Sequence, residues 1–312
     1  MRGLVIKSTG SSYIVQLDDG SDVECYIKGN FRIRGIRSTN PVAVGDYVQV
    51  EDGWITDVED RRNYIIRKST NLSKESHILA ANIDQAVLLV TISHPYTNLT
   101  FIDRFLATCE AYRVPAILAF NKTDLLTEDE HLELFLDMEQ YSDIGYQTLS
   151  ISAKKMLTEQ LAPEQRHPHN TLRRLLAGKT TLLSGNSGVG KSTLLNALLG
   201  HEVARTGEIS DVHDMGKHTT TFSEMYFLPN GGAIIDTPGI KGFGAFDMEK
   251  EEVSHYFPEI FRIGRNCRFS NCLHTDEPGC AVQEAVERRK IALSRYESYL
   301  SMLGDCDESK YR

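Results

Sequence analysis

One octapeptide restricts this chain more than any other feature. Gly185-Asn-Ser-Gly-Val-Gly-Lys-Ser192 fits the pattern G-x-x-x-x-G-K-[ST]. It lies between Thr180-Thr-Leu-Leu-Ser184, which reads as a buried strand, and Lys191–Leu199, which reads as a helix ended by Gly200. Strand, glycine-rich turn and helix N-terminus in that order make a phosphate cradle. Glycines let backbone N–H groups wrap an anion without Cβ clashes, and the helix N-terminus favours negative charge. The expected nucleotide contacts are therefore Gly185, Asn186, Ser187, Gly188, Val189, Gly190, Lys191, Ser192 and Thr193. Lys191 is expected to reach the β/γ oxygens during catalysis, and the Ser192 hydroxyl to coordinate Mg²⁺.

The neighbouring sequence supplies the α/β unit that such a loop requires. Gln85-Ala-Val-Leu-Leu-Val-Thr-Ile92 is a continuous apolar run, as in a strand covered on both faces. A helix through Phe105 and Tyr112, a strand at Pro115–Phe120, a helix near Glu128–Tyr141 and a strand at Gln147–Ile151 follow. After a Pro-containing loop at 156–170 the alternation resumes, with a last strand at Gly232–Asp236. Upstream, short strands such as Tyr13–Leu17, Asp22–Ile27, Val42–Val50 and Trp54–Val58 with turn residues between them fit a small five-stranded OB-fold barrel. The chain thus reads as multi-domain: an N-terminal all-β OB-fold barrel over 1–68, a central α/β P-loop domain over 78–246, and a mainly α C-terminal unit over 247–312. A charge of −9, from 34 Lys+Arg against 43 Asp+Glu, excludes a uniformly basic nucleic-acid coat. No apolar run reaches the ~20 residues needed to cross a bilayer, and the opening segment turns polar too soon for a signal peptide. A cytoplasmic protein without membrane contact is expected.

Two short motifs at strand ends address the choice of nucleotide. Asn121-Lys-Thr-Asp124 places a carboxylate, Asp124, where it can accept hydrogen bonds from guanine N1–H and the N2 amine; adenine offers neither. Asn121 either faces the other edge of the base or braces the loop, and Lys122 and Thr123 complete the motif. Ser152-Ala-Lys154, after the next strand, supplies a backbone N–H for the guanine oxygen. Asp236-Thr-Pro-Gly239 offers Asp236 to Mg²⁺ through water and the Gly239 N–H to the γ-phosphate. Gly216-Lys-His-Thr-Thr-Thr221 lies where a switch loop belongs. One of Thr219, Thr220 and Thr221 is expected to bind Mg²⁺ in the triphosphate state, and Thr220 is preferred. The base-reading motifs precede the phosphate loop in the chain, the reverse of the familiar small GTPases, so the domain reads as circularly permuted. The segment after Gly239 then runs into the C-terminal unit, and residues 239–250 are expected to transmit the nucleotide state. Ile240 stands where many GTPases carry a water-orienting Gln, which predicts slow intrinsic GTP hydrolysis accelerated by a partner. His218 is the nearest candidate for positioning the water.

The C-terminal unit carries Cys267-x₄-Cys272-x-His274-x₅-Cys280, three thiols and an imidazole within 14 residues. That set suits one structural tetrahedral Zn²⁺. In the barrel, Lys28-Gly-Asn-Phe-Arg-Ile-Arg-Gly-Ile-Arg37 holds four basic residues and an aromatic with no acid, a pattern able to follow an RNA backbone; Arg32, Arg34 and Arg37 are its test positions.

Barrel, permuted GTPase core and Cys-x₄-Cys-x-His-x₅-Cys site together resemble the bacterial ribosome small-subunit-dependent GTPase A family over nearly the whole chain. The switch sequence Gly-Lys-His-Thr-Thr-Thr at 216–221 is similar to that of the family, which usually carries Arg where this chain has Lys217. The resemblance implies binding to the 30S subunit and 16S rRNA in late maturation, subunit-stimulated GTP hydrolysis, and a part for His218 in that step. Two other readings use the same motifs: a GTP-gated RNA-binding module in which hydrolysis is incidental, and a P-loop ATPase or small-molecule kinase, against which Asp124 argues. No long exposed apolar helix demands a dimer, so a monomer is expected.

Overall fold

The computed structural model describes residues 1–27, 38–68, 76–158, 163–203, 223–237 and 248–310. Its strands are β1 (Arg2–Ser8), β2 (Tyr13–Leu17), β3 (Asp22–Ile27), β4 (Ser38–Asn40), β5 (Tyr47–Glu51), β6 (Trp54–Val58), β7 (Tyr64–Lys68), β8 (Ser76–Ala81), β9 (Gln85–Val90), β10 (Ala116–Phe120), β11 (Gln147–Ser150), β12 (Thr180–Ser184), β13 (Glu224–Phe227) and β14 (Ala233–Asp236). Its helices are α1 (Leu99–Ala111), α2 (Glu128–Ile144), α3 (Ala153–Leu157), α4 (Pro163–Leu176), α5 (Lys191–Leu199), α6 (Pro258–Gly264), α7 (Ala281–Glu287) and α8 (Leu293–Lys310).

The N-terminal strands alternate because one face of each must be dry. In β2 the pattern puts Tyr13, Val15 and Leu17 inward, against Val5, Val48 and Ile55. Strands run in the order β1-β2-β3-β6-β5, and a further β1–β5 pairing closes the ring. The β3–β6 pair is parallel, with Tyr26 opposite Trp54, and the remaining pairs in the ring are antiparallel. This is the expected OB-like barrel. The strand expected over Val42–Val50 begins only at Tyr47, because Asp46 is fully buried and turns the chain, accepting from the Ala43 N–H at 2.8 Å and from Arg61. Gly45 is needed there: with φ +95°, a Cβ would sit 2.1 Å from the Ala81 carbonyl. β7, grouped with the barrel in the sequence reading, pairs with β8, and its Ile65 packs into the central core.

The central sheet runs β11-β10-β9-β12-β14-β13, parallel except for β13. β9 is buried along its whole length. Its Ala86, Leu88 and Val90 enter one core with Phe105 and Leu118, while Val87 and Leu89 enter the other with Leu172 and Leu194. Each such aliphatic side chain contributes on the order of 1.5–3 kcal/mol by leaving water. Helices therefore cover both faces, the arrangement expected for a parallel sheet. The Pro-containing stretch expected as a loop is instead helical from Pro163; a proline at the first helical position forfeits no intrahelical bond.

β13 also pairs with β1 at Lys7–Glu224, and those two side chains form a 2.9 Å ion pair, so barrel and central sheet are continuous. The C-terminal helices enclose a separate core of Val253, Phe257, Ile260, Tyr299 and Met302, which Ala107 of α1 joins. No helix among the described residues is long and apolar enough to cross a membrane.

Candidate functional site

All three motif loops leave the same edge of the sheet, the C-terminal ends of β10, β11 and β12, where open α/β sheets bind ligands. One buried side chain ties them together. Asn121 Nδ2 donates to the Val189 carbonyl of the phosphate loop at 2.8 Å, and Asn121 Oδ1 accepts from the Ala153 N–H at 2.8 Å. The amide thus braces the loops, one of the two roles expected for Asn121, and its Nδ2 keeps a second N–H. Gly190 makes the approach possible, since with φ +101° a Cβ would lie 2.5 Å from Asn121 Nδ2. Thr123 hooks the same loop to β11, its backbone N–H and its hydroxyl both donating to the Ile151 carbonyl, at 3.3 and 3.0 Å. Asp124 follows, half-buried, in the short turn after Lys122.

In the Ser152–Lys154 loop two amides are already used. Ser152 N–H donates to His169 Nε2 at 3.1 Å, and Ala153 N–H to Asn121. Lys154 occupies the second position of α3, where a backbone N–H has no intrahelical acceptor.

The phosphate loop takes its expected form between β12 and α5. Val189 is fully buried and anchors the loop, while Gly188 and Gly190 have positive φ. Lys191 curls back, its ammonium donating to the carbonyls of Gly185 at 2.6 Å and Asn186 at 3.0 Å. Ser192 and Thr193 follow, half-buried, in the first turn of α5. Burial lowers the Lys191 pKa and Asp236 counters it. Asp236, at the end of β14, is pushed up to about 6 by burial and further by Glu224, with Lys191 opposing. Among the described residues its Oδ1 is buried and without a hydrogen-bond partner. An orphaned carboxylate oxygen facing a phosphate lysine is the donor a hydrated divalent cation needs, so the residues fit Mg²⁺. Thr219, Thr220, Thr221, His218, Gly239 and Ile240 lie outside the described residues, as does the basic segment 28–37.

Two contributors were not anticipated from sequence. The loop after β9 runs beside the phosphate loop: Lys122 Nζ donates to the His94 carbonyl, and Gly188 lies against Pro95. His169 of α4 holds the Ser152 amide. The position of β9 next to β12 makes the first of these readable in retrospect; the second depends on how α4 packs.

In the C-terminal lobe, Cys267, Cys272, His274 and Cys280 each offer a ligand atom, all within 4.8 Å of one another. His274 Nδ1 lies 3.5 Å from both Cys267 Sγ and Cys280 Sγ, which are 3.9 Å apart. A tetrahedron with bonds of roughly 2.3 Å to sulfur and 2.0–2.1 Å to nitrogen requires about 3.8 Å between sulfurs and 3.6 Å from sulfur to nitrogen. The donor set is therefore compatible with zinc. Burial pushes the Cys272 thiol up to about 12 and raises Cys280 too. Glu277 shapes the knuckle by accepting from the Leu273 and Thr275 N–H groups at 2.7 and 2.8 Å. Tyr296 and Tyr299 of α8 clamp it by donating to the His274 and Leu273 carbonyls, each at 2.6 Å.

Fold and site together define a P-loop GTPase whose base-reading strands precede its phosphate loop, flanked by a barrel and a Cys/His lobe. Family models agree: residues 2–57 match the RsgA N-terminal domain and residues 58–246 match the RsgA GTPase. The chain belongs to the RsgA GTPase family. It is 57% identical over 318 residues to a small ribosomal subunit biogenesis GTPase RsgA of Phocaeicola vulgatus, covering 100% of this chain and 99% of that protein. Its identity to the Bacteroides fragilis protein of the same name is 58% over 317 residues, with the same coverage. Among solved structures it is similar to YjeQ from Thermotoga maritima, with TM-score 0.71, 33% identity and 98% of each chain covered. It is also similar to YloQ, described as a circularly permuted GTPase, with TM-score 0.68 and 28% identity over 100% of this chain and 96% of that one.

Proposed function

We propose that this protein is a cytoplasmic, monomeric GTPase of late small-subunit maturation. It binds the 30S particle and 16S rRNA in its GTP state and hydrolyses GTP when the particle completes its site. The observation that carries the guanine assignment is the Asn121 brace, which brings the loop bearing Asp124 and the Ser152–Lys154 loop to the phosphate loop. The ribosomal role is supported by the names borne by full-length relatives.

In this reading Asp124 accepts from guanine N1–H and N2, and the Lys154 N–H donates to the guanine oxygen. The backbone of Gly185–Thr193 wraps the phosphates and Lys191 neutralises the β/γ oxygens, worth more in a partly dry site than in water. Ser192, Asp236 and Thr220 would hold Mg²⁺, which when bound offsets phosphate charge. Gly239 senses the γ-phosphate. With isoleucine at 240, water orientation falls to His218. One structural Zn²⁺ sits among Cys267, Cys272, His274 and Cys280. Arg32, Arg34 and Arg37 contact RNA phosphates. The functional units are the barrel through residue 68, the GTPase core over 78–246 and the zinc lobe from 247, with 239–250 carrying the nucleotide state onward.

The test is GTP turnover by the full chain with and without purified small subunits. At least tenfold stimulation is expected, and an unchanged rate would overturn the proposal. Cys272→Ala should release zinc and expose the lobe to protease while leaving GDP affinity within about twofold, because the lobe has its own core. Stoichiometric zinc retained in that variant would contradict the ligand set.

A further inference from the structure

Helix α2 is built against the usual rule. Of its 17 residues only Leu134 and Tyr141 are buried. Three large apolar side chains point outward instead: Leu132 is 60% exposed, Phe135 61% and Leu136 54%. Their i, i+3, i+4 spacing makes them neighbours on one face. Single exposed hydrophobes are ordinary, but a contiguous group is not.

The surroundings restrict what can cover this face. Glu128 and Asp129 lie one turn before the apolar group and Glu139 and Asp143 one to two turns after it, on the same side of the helix. From Thr123 to Ala153 there are eight carboxylates and no Lys or Arg. An RNA backbone or an anionic lipid surface would meet only like charge here. A second copy packed about a two-fold axis would set this acidic rim against itself. A cationic protein surface with apolar side chains satisfies both the rim and the centre.

We propose that the outward face of α2, centred on Leu132, Phe135 and Leu136, docks a lysine- and arginine-rich protein of the small ribosomal subunit. This rests on the ribosomal reading above and adds a protein contact, on the GTPase core, to the RNA contacts assigned to the barrel. The apolar group anchors the partner in a desolvated centre, and the carboxylates steer its approach and set its salt dependence.

The test uses the full chain with a non-hydrolysable GTP analogue and purified small subunits. Leu132→Ala, Phe135→Ala and Leu136→Ala together remove the anchors from exposed positions where alanine favours helix. The triple variant should lose at least tenfold in affinity for the subunit while keeping its affinity for protein-free 16S rRNA and its subunit-free GTP turnover. Glu139→Lys with Asp143→Lys should weaken subunit binding without touching the anchors. Phe135→p-benzoylphenylalanine should crosslink on irradiation to a basic subunit protein. Undiminished subunit binding by both variants, or a crosslink to rRNA or to a second copy, overturns the docking face alone. Failure of the unaltered chain to bind subunits overturns the ribosomal reading itself, and the partner with it.

Discussion

Asp124→Asn is expected to lower GTP affinity by roughly 10²–10⁴-fold, the equivalent of losing two charge-assisted hydrogen bonds at about 1.5–3 kcal/mol each. The amide places an N–H₂ where a carboxylate met two donors of guanine. The same change should create affinity for xanthosine triphosphate, whose C2 carbonyl accepts what the amide donates. Competition of GTP, XTP and ATP against labelled GDP reads all three at once. In the unaltered chain ATP should compete poorly, because it would leave Asp124 unpaired. A variant that still prefers GTP as before would show that Asp124 does not face the base.

The second large effect lies far from the nucleotide. Arg295 of α8 is 1% exposed and holds Glu259 of α6 with Nε and Nη2, at 2.8 and 3.1 Å. Its Nη1 donates at 2.9 Å to Asp103 of α1, whose Oδ1 also accepts from the Tyr141 hydroxyl of α2 at 2.8 Å. Burial works against the Arg295 charge, but Asp103 and Glu259 outweigh it and hold the pKa above its ordinary value. Burial likewise raises Asp103, with Arg295 opposing. Removing the cation strands two buried carboxylates, so Arg295→Met should destabilise the chain by about 3–5 kcal/mol, visible as a lower urea midpoint. Adding Glu259→Leu, Asp103→Leu and Tyr141→Phe should recover most of that loss, since an apolar replacement of the whole cluster leaves no charge and no hydroxyl unpaired. A single variant as stable as the parent would mean that the cluster does not join the lobe to α1 and α2.

How far the sequence could be read follows the range of the interactions. The phosphate loop, β9 and the closing hairpins of the barrel announce themselves through local spacing and apolar runs, and the structure has them in place. Asn-Lys-x-Asp was legible as a motif, and bracing as one use of Asn121, but the partner was not, because Val189 lies 68 residues away in the chain. The four zinc-type ligands lie so near one another in sequence that their convergence needed little from the rest of the fold. Helix α4 was missed because its prolines read as loop residues; Pro163 opens the helix at a position that forfeits no bond, whereas Pro168 lies inside it. Arg295 left no local signal at all, since its partner Asp103 is 192 residues distant. The exposed group on α2 was equally silent: apolar residues at helical spacing look the same whether they face a core or a partner.

Sedimentation of the full chain with purified small subunits tests the central claim most directly, with a non-hydrolysable GTP analogue, with GDP and with no nucleotide. A nucleotide-gated assembly GTPase is predicted to pellet with the particle under the GTP analogue and to remain largely in the supernatant under GDP. Equal recovery in all three conditions would contradict the account.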